Sequence, residues 1–230
     1  MLFEAIGKGL QNMTGASSSL EEFKLPAGDP GLFGPQSVVW KVHANFSAMM
    51  VGGLSSLMIQ ALHPRALAAV WDHSNFRHQL KARLGRTAMF VAATTYGGVD
   101  LANQHIQRVN AIHAKIEGLD QQDKPYKANE PDLLRWVHLI ETVSFLNAYQ
   151  HLALRPLSAS DCNRYVVEMN KVGEMLGAIN LPSTLQDLQY AIAQYEPELD
   201  FDERTRETLQ SIENYPVGWT EKPFFSLILK

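Results

Sequence analysis

Three short segments of this 230-residue chain have residue types and spacing that could do chemistry: Arg83-x-x-Arg86-Thr87, Tyr96-Gly97-Gly98, and Val109-x-x-x-His113-x-x-x-x-Gly118. Read as two helices broken at the glycine pair, they form a helical hairpin. Arg83 and Thr87 stand 14 and 10 residues before Gly97, and His113 stands 15 residues after Gly98. At ~1.5 Å of rise per residue, both arms hold their polar groups roughly 15–22 Å from the bend. The hairpin would bring one histidine level with an Arg/Thr pair and let them grip a ligand from two sides.

His113 shares the apolar stripe Ala102, Ile106, Val109, His113, Ile116, whose steps of four and three repeat along one helix face. A buried imidazole without an acid beside it is costly unless something takes its lone pair. Iron of a haem does this for the proximal histidine of globins and peroxidases. The plain alternative is a core histidine bonded to a carbonyl oxygen, and spacing leaves both readings open. Arg83 and Thr87, one turn apart, point the same way. With Arg86 they would suit a propionate, an oxygen species or an anionic substrate, or else they are surface residues following Lys81.

His138 and Glu141 stand three apart on the face Leu134, Val137, His138, Glu141, Phe145, Ala148. Di-iron bundles use Glu-x-x-His and several further buried glutamates. The order here is reversed and those glutamates are missing, so the pair does not predict a di-metal centre. His63 and Gln60 are weaker pocket candidates. No Ser-His-Asp order, phosphate-binding glycine loop or zinc spacing stands out.

The elements that must position these groups are helical. Ala27–Pro35 is punctuated by Gly and Pro every two or three residues, which predicts an irregular lead-in. Ser37 caps a helix running toward Met50, with Gly52-Gly53 allowing either a break or a close helix crossing. His63-Pro64 marks a kink or a new start. Asp72–Asn75 reads as a turn, and 118–130 as an exposed loop. Pro131 opens a helix to about Leu152. Ser158 or Ser160 caps the next, which ends near Gly177. Two more helices follow, 184–195 and about 202–212, then a Pro/Gly-containing tail. No segment alternates in the strand manner. The expectation is an all-α single domain of about eight helices over 26–230, preceded by a helical or irregular lead-in over 1–25, where Leu2, Phe3, Ile6 and Leu10 recur at helical spacing.

Composition narrows the function. Apolar residues make up 46% and charged residues 19%, which predicts a globular fold. The net charge of −4, from 20 basic and 24 interspersed acidic side chains, argues against nucleic acid as partner. One cysteine, Cys162, excludes an internal disulfide and fits a reducing compartment. With no secretory pattern in Met1–Gly15, a cytoplasmic location is expected. Val42–Pro64 has no charged residue, but His43, Asn45, Gln60, His63 and three serines make it too polar for lipid; it is expected to be core, not a membrane span.

These segments also resemble a known family. Gly28-Asp29-Pro30-Gly31-Leu32-Phe33-Gly34-Pro35-x-Ser37-x-x-Trp40-x-Val42-His43 is similar to the opening motif of the MpaB/rubber-oxygenase family. So are Gln60–Pro64, Arg83-Leu84-x-Arg86-Thr87, Tyr96-Gly97, the His113 motif, Tyr126-x-Ala128-Asn129-x-Pro131-x-Leu133-Leu134-x-Trp136-Val137-His138 and Pro156-Leu157-Ser158. The similarity runs in order over about residues 25–220. It implies a globin-like helical core, a b-type haem, and dioxygen chemistry on a hydrophobic substrate, as in latex-clearing protein, which cleaves carbon–carbon double bonds of isoprenoid chains. It places the proximal haem histidine at His113 and the distal Arg and Thr at Arg83 and Thr87; on this reading Arg86 lies nearby, and His63 and His138 are second-choice pocket residues. The rubber-cleaving members also use a distal glutamate upstream of the Arg. Here the only acid between His63 and Arg83 is Asp72. A non-catalytic haem-binding or sensing protein, or a helical protein without cofactor, are the alternatives.

Overall fold

Ser37 starts the first helix as its type predicts, its hydroxyl accepting from the Trp40 amide at 3.2 Å and donating to the Gly34 carbonyl at 2.8 Å. In the computed structural model, which describes residues 22–24 and 26–214, this helix is short: α1 is Val38–His43. It stops because Asn45 caps a new helix, α2 (Phe46–Gln60), with its side chain on the Ala48 amide. The expected run from Ser37 to Met50 is thus two helices. α2 passes unbroken through Gly52-Gly53, so the close-crossing alternative holds. A Cβ on Gly52 would lie 2.8 Å from the Phe145 Cα and 2.9 Å from the Ser144 carbonyl oxygen. Only glycine allows that contact.

Pro64 opens α3 (Pro64–His73), bent 103° from α2. Ser74 and Asn75 separate it from α4 (Phe76–Tyr96), whose backbone leaves helical geometry once, at Gln79. Gly97-Gly98 then makes the bend, and α5 (Val99–His113) returns. The lead-in secures this bend. Asp29 accepts from the Val99 amide at 2.8 Å, satisfying an orphan donor at the start of α5 from 70 residues away. Gly31, at φ +66°, rests on the Gly97 carbonyl, where a Cβ would be only 2.3 Å from the oxygen.

Segment 118–130 is not wholly loop. Strands β1 (Glu117–Leu119) and β2 (Pro125–Lys127) pair antiparallel, Gly118 opposite Tyr126, and the buried Tyr126 hydroxyl donates to Asp72 at 3.1 Å. Three-residue strands are too short to show alternation. Four helices complete the described chain: α6 (Pro131–Leu152), α7 (Ala159–Leu176), α8 (Leu185–Ala193) and α9 (Glu203–Glu213). Ser158, Thr184 and Asp202 cap the last three, and Gly177 ends α7 at φ +103°.

α6 is the centre, with 12 of its 22 residues buried and positions on all sides covered. Its Trp136, Leu139 and Leu146 meet Val39 and Val42 of α1, Tyr165 and Val166 of α7, and Leu188 of α8, all fully buried. Each such aliphatic contributes about 2 kcal/mol by leaving water. The molecule is a predominantly α single domain. Of the lead-in assigned to 1–25, only Glu22–Lys24 is described, as a 3-10 turn; the expected helix within Met1–Gly15 and the tail after Asn214 lie outside the described residues. Among those residues no single helix is long and apolar enough to cross a membrane, and the α2–α3 pair that has the composition is sharply bent.

Candidate functional site

Where α4, α5, α6 and α7 meet, they leave a cavity of about 60 Å³ within a depression of about 570 Å³ that includes space open to solvent. The enclosed part has room for about four waters. Its apolar wall includes Phe33, Phe90, Val137, Met169 and Leu176, and its polar wall includes His43, Thr95, His113, His138 and Glu141. The sequence placed His138 and Glu141 on one face, and both face this cavity.

His113 is the last residue of α5, where the helix dipole favours a cation. Burial works against that charge and lowers its pKa. Its Nδ1 is buried and has no hydrogen-bond partner among the described residues. The ring of His113 lines the cavity, and a neutral imidazole is the kind of group that would hold the iron of a haem. The donor therefore fits a haem. The enclosed volume is well below the ~300 Å³ of ordinary ligand pockets, so a macrocycle has to widen it. No group of three or more His, Cys, Asp or Glu among the described residues is placed to hold a bare metal ion.

His138 lies flat on α7, where Gly173 leaves room for the ring; a Cβ there would be 2.9 Å from three of its atoms. Its Nε2 meets Asn170 Oδ1 at 3.4 Å, and Asn170 donates its amide to the Pro182 carbonyl at 2.7 Å. That second bond turns Oδ1 toward the histidine, which assigns the proton to Nε2. Burial pushes the His138 pKa down to about 4. His43, which sequence reasoning did not single out, is more firmly committed. Its Nδ1 meets Thr95 Oγ1 at 2.7 Å and its Nε2 meets the Tyr165 hydroxyl at 3.1 Å, while burial lowers its pKa to about 3. One ring nitrogen donates and the other accepts, so His43 braces α1, α4 and α7 together around the cavity. The motif Trp40-x-Val42-His43 carried the only signal for it.

The other candidates lie elsewhere. The cavity meets α4 at Phe90, Val91, Thr94 and Thr95, nearer the bend than Arg83, Arg86 and Thr87, which are not among its lining residues. Rise per residue fixes height along a helix but not how two helices cross. Arg83 donates to Ser74 at 3.2 Å, and burial beside Arg86 lowers its pKa to about 10. Arg86 and Thr87 are exposed. By helical period, Arg83 and Thr87 share the stripe of Phe90 and Thr94 and continue it outward from the cavity. His63 is buried between Trp136 and Tyr195, with ring centroids 5.8 and 6.2 Å away, and is not in the cavity wall. Asp72, the acid between His63 and Arg83, accepts from Tyr126 and Arg204 and is likewise not in the wall.

An all-α domain with a histidine-walled cavity is the class that fold and site define. The family model described as "ER-bound oxygenase mpaB/B'/Rubber oxygenase, catalytic domain" matches residues 40–229, most of the chain, and the chain belongs to that family. The family is one of oxygenases. No curated protein and no solved structure matches the chain.

Proposed function

We propose that this protein is a haem-b-dependent oxygenase that uses dioxygen on a hydrophobic substrate of isoprenoid type, cleaving or oxidising a carbon–carbon double bond. The observation that carries the reading is His113, a neutral imidazole whose ring lines a largely apolar cavity and whose buried Nδ1 has no partner among the described residues, in a chain of an oxygenase family. A bound haem would supply redox-active iron for dioxygen chemistry. The chain supplies the rest. His113 holds the group, its ring kept deprotonated by burial. Phe90, Val137, Met169 and Leu176 shed water from an apolar substrate and orient it. His138, its proton fixed on Nε2 by Asn170, is held in the cavity wall. Arg83 and Thr87, on the continuation of the α4 stripe, with Arg86 beside them, are assigned to steadying negative charge on the bound molecule. His63 we assign to packing. With one cysteine, buried, and a net charge of −4, the protein is assigned to a small-molecule substrate in the reducing cytoplasm.

The test is spectroscopic. Protein produced with adequate iron and haem precursor should show a Soret band, and His113→Ala should lose most of it while remaining helical by circular dichroism. Full haem stoichiometry in that variant would remove the assignment.

A further inference from the structure

Each polar group in the cavity wall has a partner, with two exceptions. Thr94 donates to the carbonyls of Phe90 and Val91 at 2.9 and 3.2 Å. Thr95 and His43 bond each other, and His43 also bonds Tyr165. His138 bonds Asn170. The exceptions are the Nδ1 of His113 and the carboxyl of Glu141. Among the described residues no donor or cation pairs with Glu141, whose half-buried side chain lines the cavity.

We propose that Glu141 is the residue through which this cavity exchanges a proton with the molecule bound in it. In the acid form its carboxyl donates a proton to a basic oxygen of the ligand. The carboxylate then takes a proton back from the ligand or from water before product leaves, so the residue ends as it began and no electrons pass through it. The proposal rests on the oxygenase reading only for the identity of that ligand.

Three features favour Glu141 over its neighbours. First, a carboxyl without a partner in a largely apolar cavity wall is costly, and a ligand carrying a hydrogen-bonding atom relieves that cost. Second, the other titratable groups around it are committed. His43 on α1 uses both nitrogens. His138, one turn away on α6, uses Nε2. His113 on α5 is the residue that would hold a haem. Tyr96 on α4 and Tyr165 on α7 are held protonated by burial, and the Glu141 charge adds to the effect on Tyr165. Glu168 on α7 is engaged with the Val39 amide and Arg164. Third, none of these groups is a cation that would hold Glu141 ionised, so burial alone acts and pushes its pKa up to about 7. A proton-transfer group works best when it titrates near the working pH.

The first test needs no cofactor. In protein carrying ¹³C-carboxyl-labelled glutamate, one resonance should titrate near neutral pH and vanish in Glu141→Gln. The second uses the haem-loaded protein. At equal haem content, E141Q should lose about a hundredfold in oxygen uptake with an active alkene. Its turnover should no longer vary with pH around neutrality, and Glu141→Asp should restore part of the rate with a displaced pH profile. A Glu141 resonance titrating in the ordinary carboxylate range overturns the proposal. So does an E141Q protein with wild-type turnover and pH profile. Absence of haem from the wild type would instead remove the oxygenase reading, and the carboxyl titration would then decide the role of Glu141 alone.

Discussion

His63 at the start of α3 and His113 at the end of α5 both carry buried ring nitrogens without a hydrogen bond, yet their surroundings differ. His63 is enclosed by Trp136 and Tyr195, and a carboxylate oxygen of Glu198 lies 3.6 Å from Nε2. His113 borders open space. An unsatisfied nitrogen in a filled aromatic nest costs the fold some stability and offers nothing to a ligand. A ring that lines a cavity lies within reach of a bound group. Unsatisfied polarity thus points to function only where there is room for something to satisfy it.

The sharpest way to break this comparison is to remove each ring in turn. His113→Ala should cost nearly all bound haem, whereas His63→Ala should keep haem at wild-type stoichiometry and lose about 2–4 kcal/mol of stability through the cavity it opens. Equal haem loss in both variants would mean that room is not the deciding factor. The wild-type protein should also keep its haem into moderately acid solution, because burial keeps His113 neutral below the usual histidine range.

Acid should act next most strongly, on the fold itself. His43 and His138 have pKa values lowered to about 3 and about 4, so the folded state resists protonation that the unfolded chain accepts near 6.5. The stability these groups confer is complete above pH 6.5 and is lost as pH falls toward 3–4. For His138 alone the loss is about 3 kcal/mol, at 1.4 kcal/mol per unit. Glu141 works in the opposite sense. Its raised pKa makes stability decline as pH rises from about 4.5 to about 7. Urea unfolding midpoints should therefore fall on both sides of a mildly acid optimum. A flat profile between pH 6.5 and 4 would mean that water reaches these rings.

A third test concerns the outward stripe of α4. If Arg83 and Thr87 steady developing charge, each alanine variant should keep haem and lose roughly a hundredfold in turnover, about 3 kcal/mol of transition-state stabilisation. Should Arg83→Ala release haem while Thr87→Ala does nothing, Arg83 is a propionate anchor. If no alkene, terpene or fatty substrate consumes oxygen even in the wild type, the non-catalytic haem-binding alternative becomes the better reading, consistent with a cavity wall that includes none of Arg83, Arg86 and Thr87.

The sequence made some of this legible and hid the rest, for physical reasons. Local signals were reliable: the hydroxyls of Ser37, Ser158 and Thr184, the carboxylate of Asp202 and the left-handed Gly177 each mark a helix end whose chemistry lies within four residues. The shared face of His138 and Glu141 was legible because 3.6 residues per turn fixes it. The break at Asn45 was missed because an asparagine inside an apolar stretch looks like a tolerated polar residue until its side chain turns back to the Ala48 amide. Gly52 could not be resolved between break and crossing, since the partner that decides it, Phe145, is 93 residues away. His43 shows the same limit: its role is made by Thr95 and Tyr165, which no local pattern connects to it.

The smallest expected effect is the most discriminating for His63. If its nitrogens are unsatisfied because the nest is full, an apolar side chain of similar volume loses no hydrogen bond there. His63→Leu should then change stability by less than about 1 kcal/mol at pH 8, in either direction. It should also remove a small part of the acid sensitivity. Burial and Arg65 lower the His63 pKa, outweighing the upward pull of Glu198, Asp132 and the residue's own backbone, so this ring too contributes stability above pH 6.5 that is lost on acidification. The difference between variant and wild type should therefore shift toward the variant as pH falls from 6.5. A loss of 2 kcal/mol or more at pH 8 would indicate that an ordered water or a direct bond to Glu198 satisfies the ring in solution. His63 would then be a satisfied core histidine, and the contrast with His113 would rest on the cavity alone.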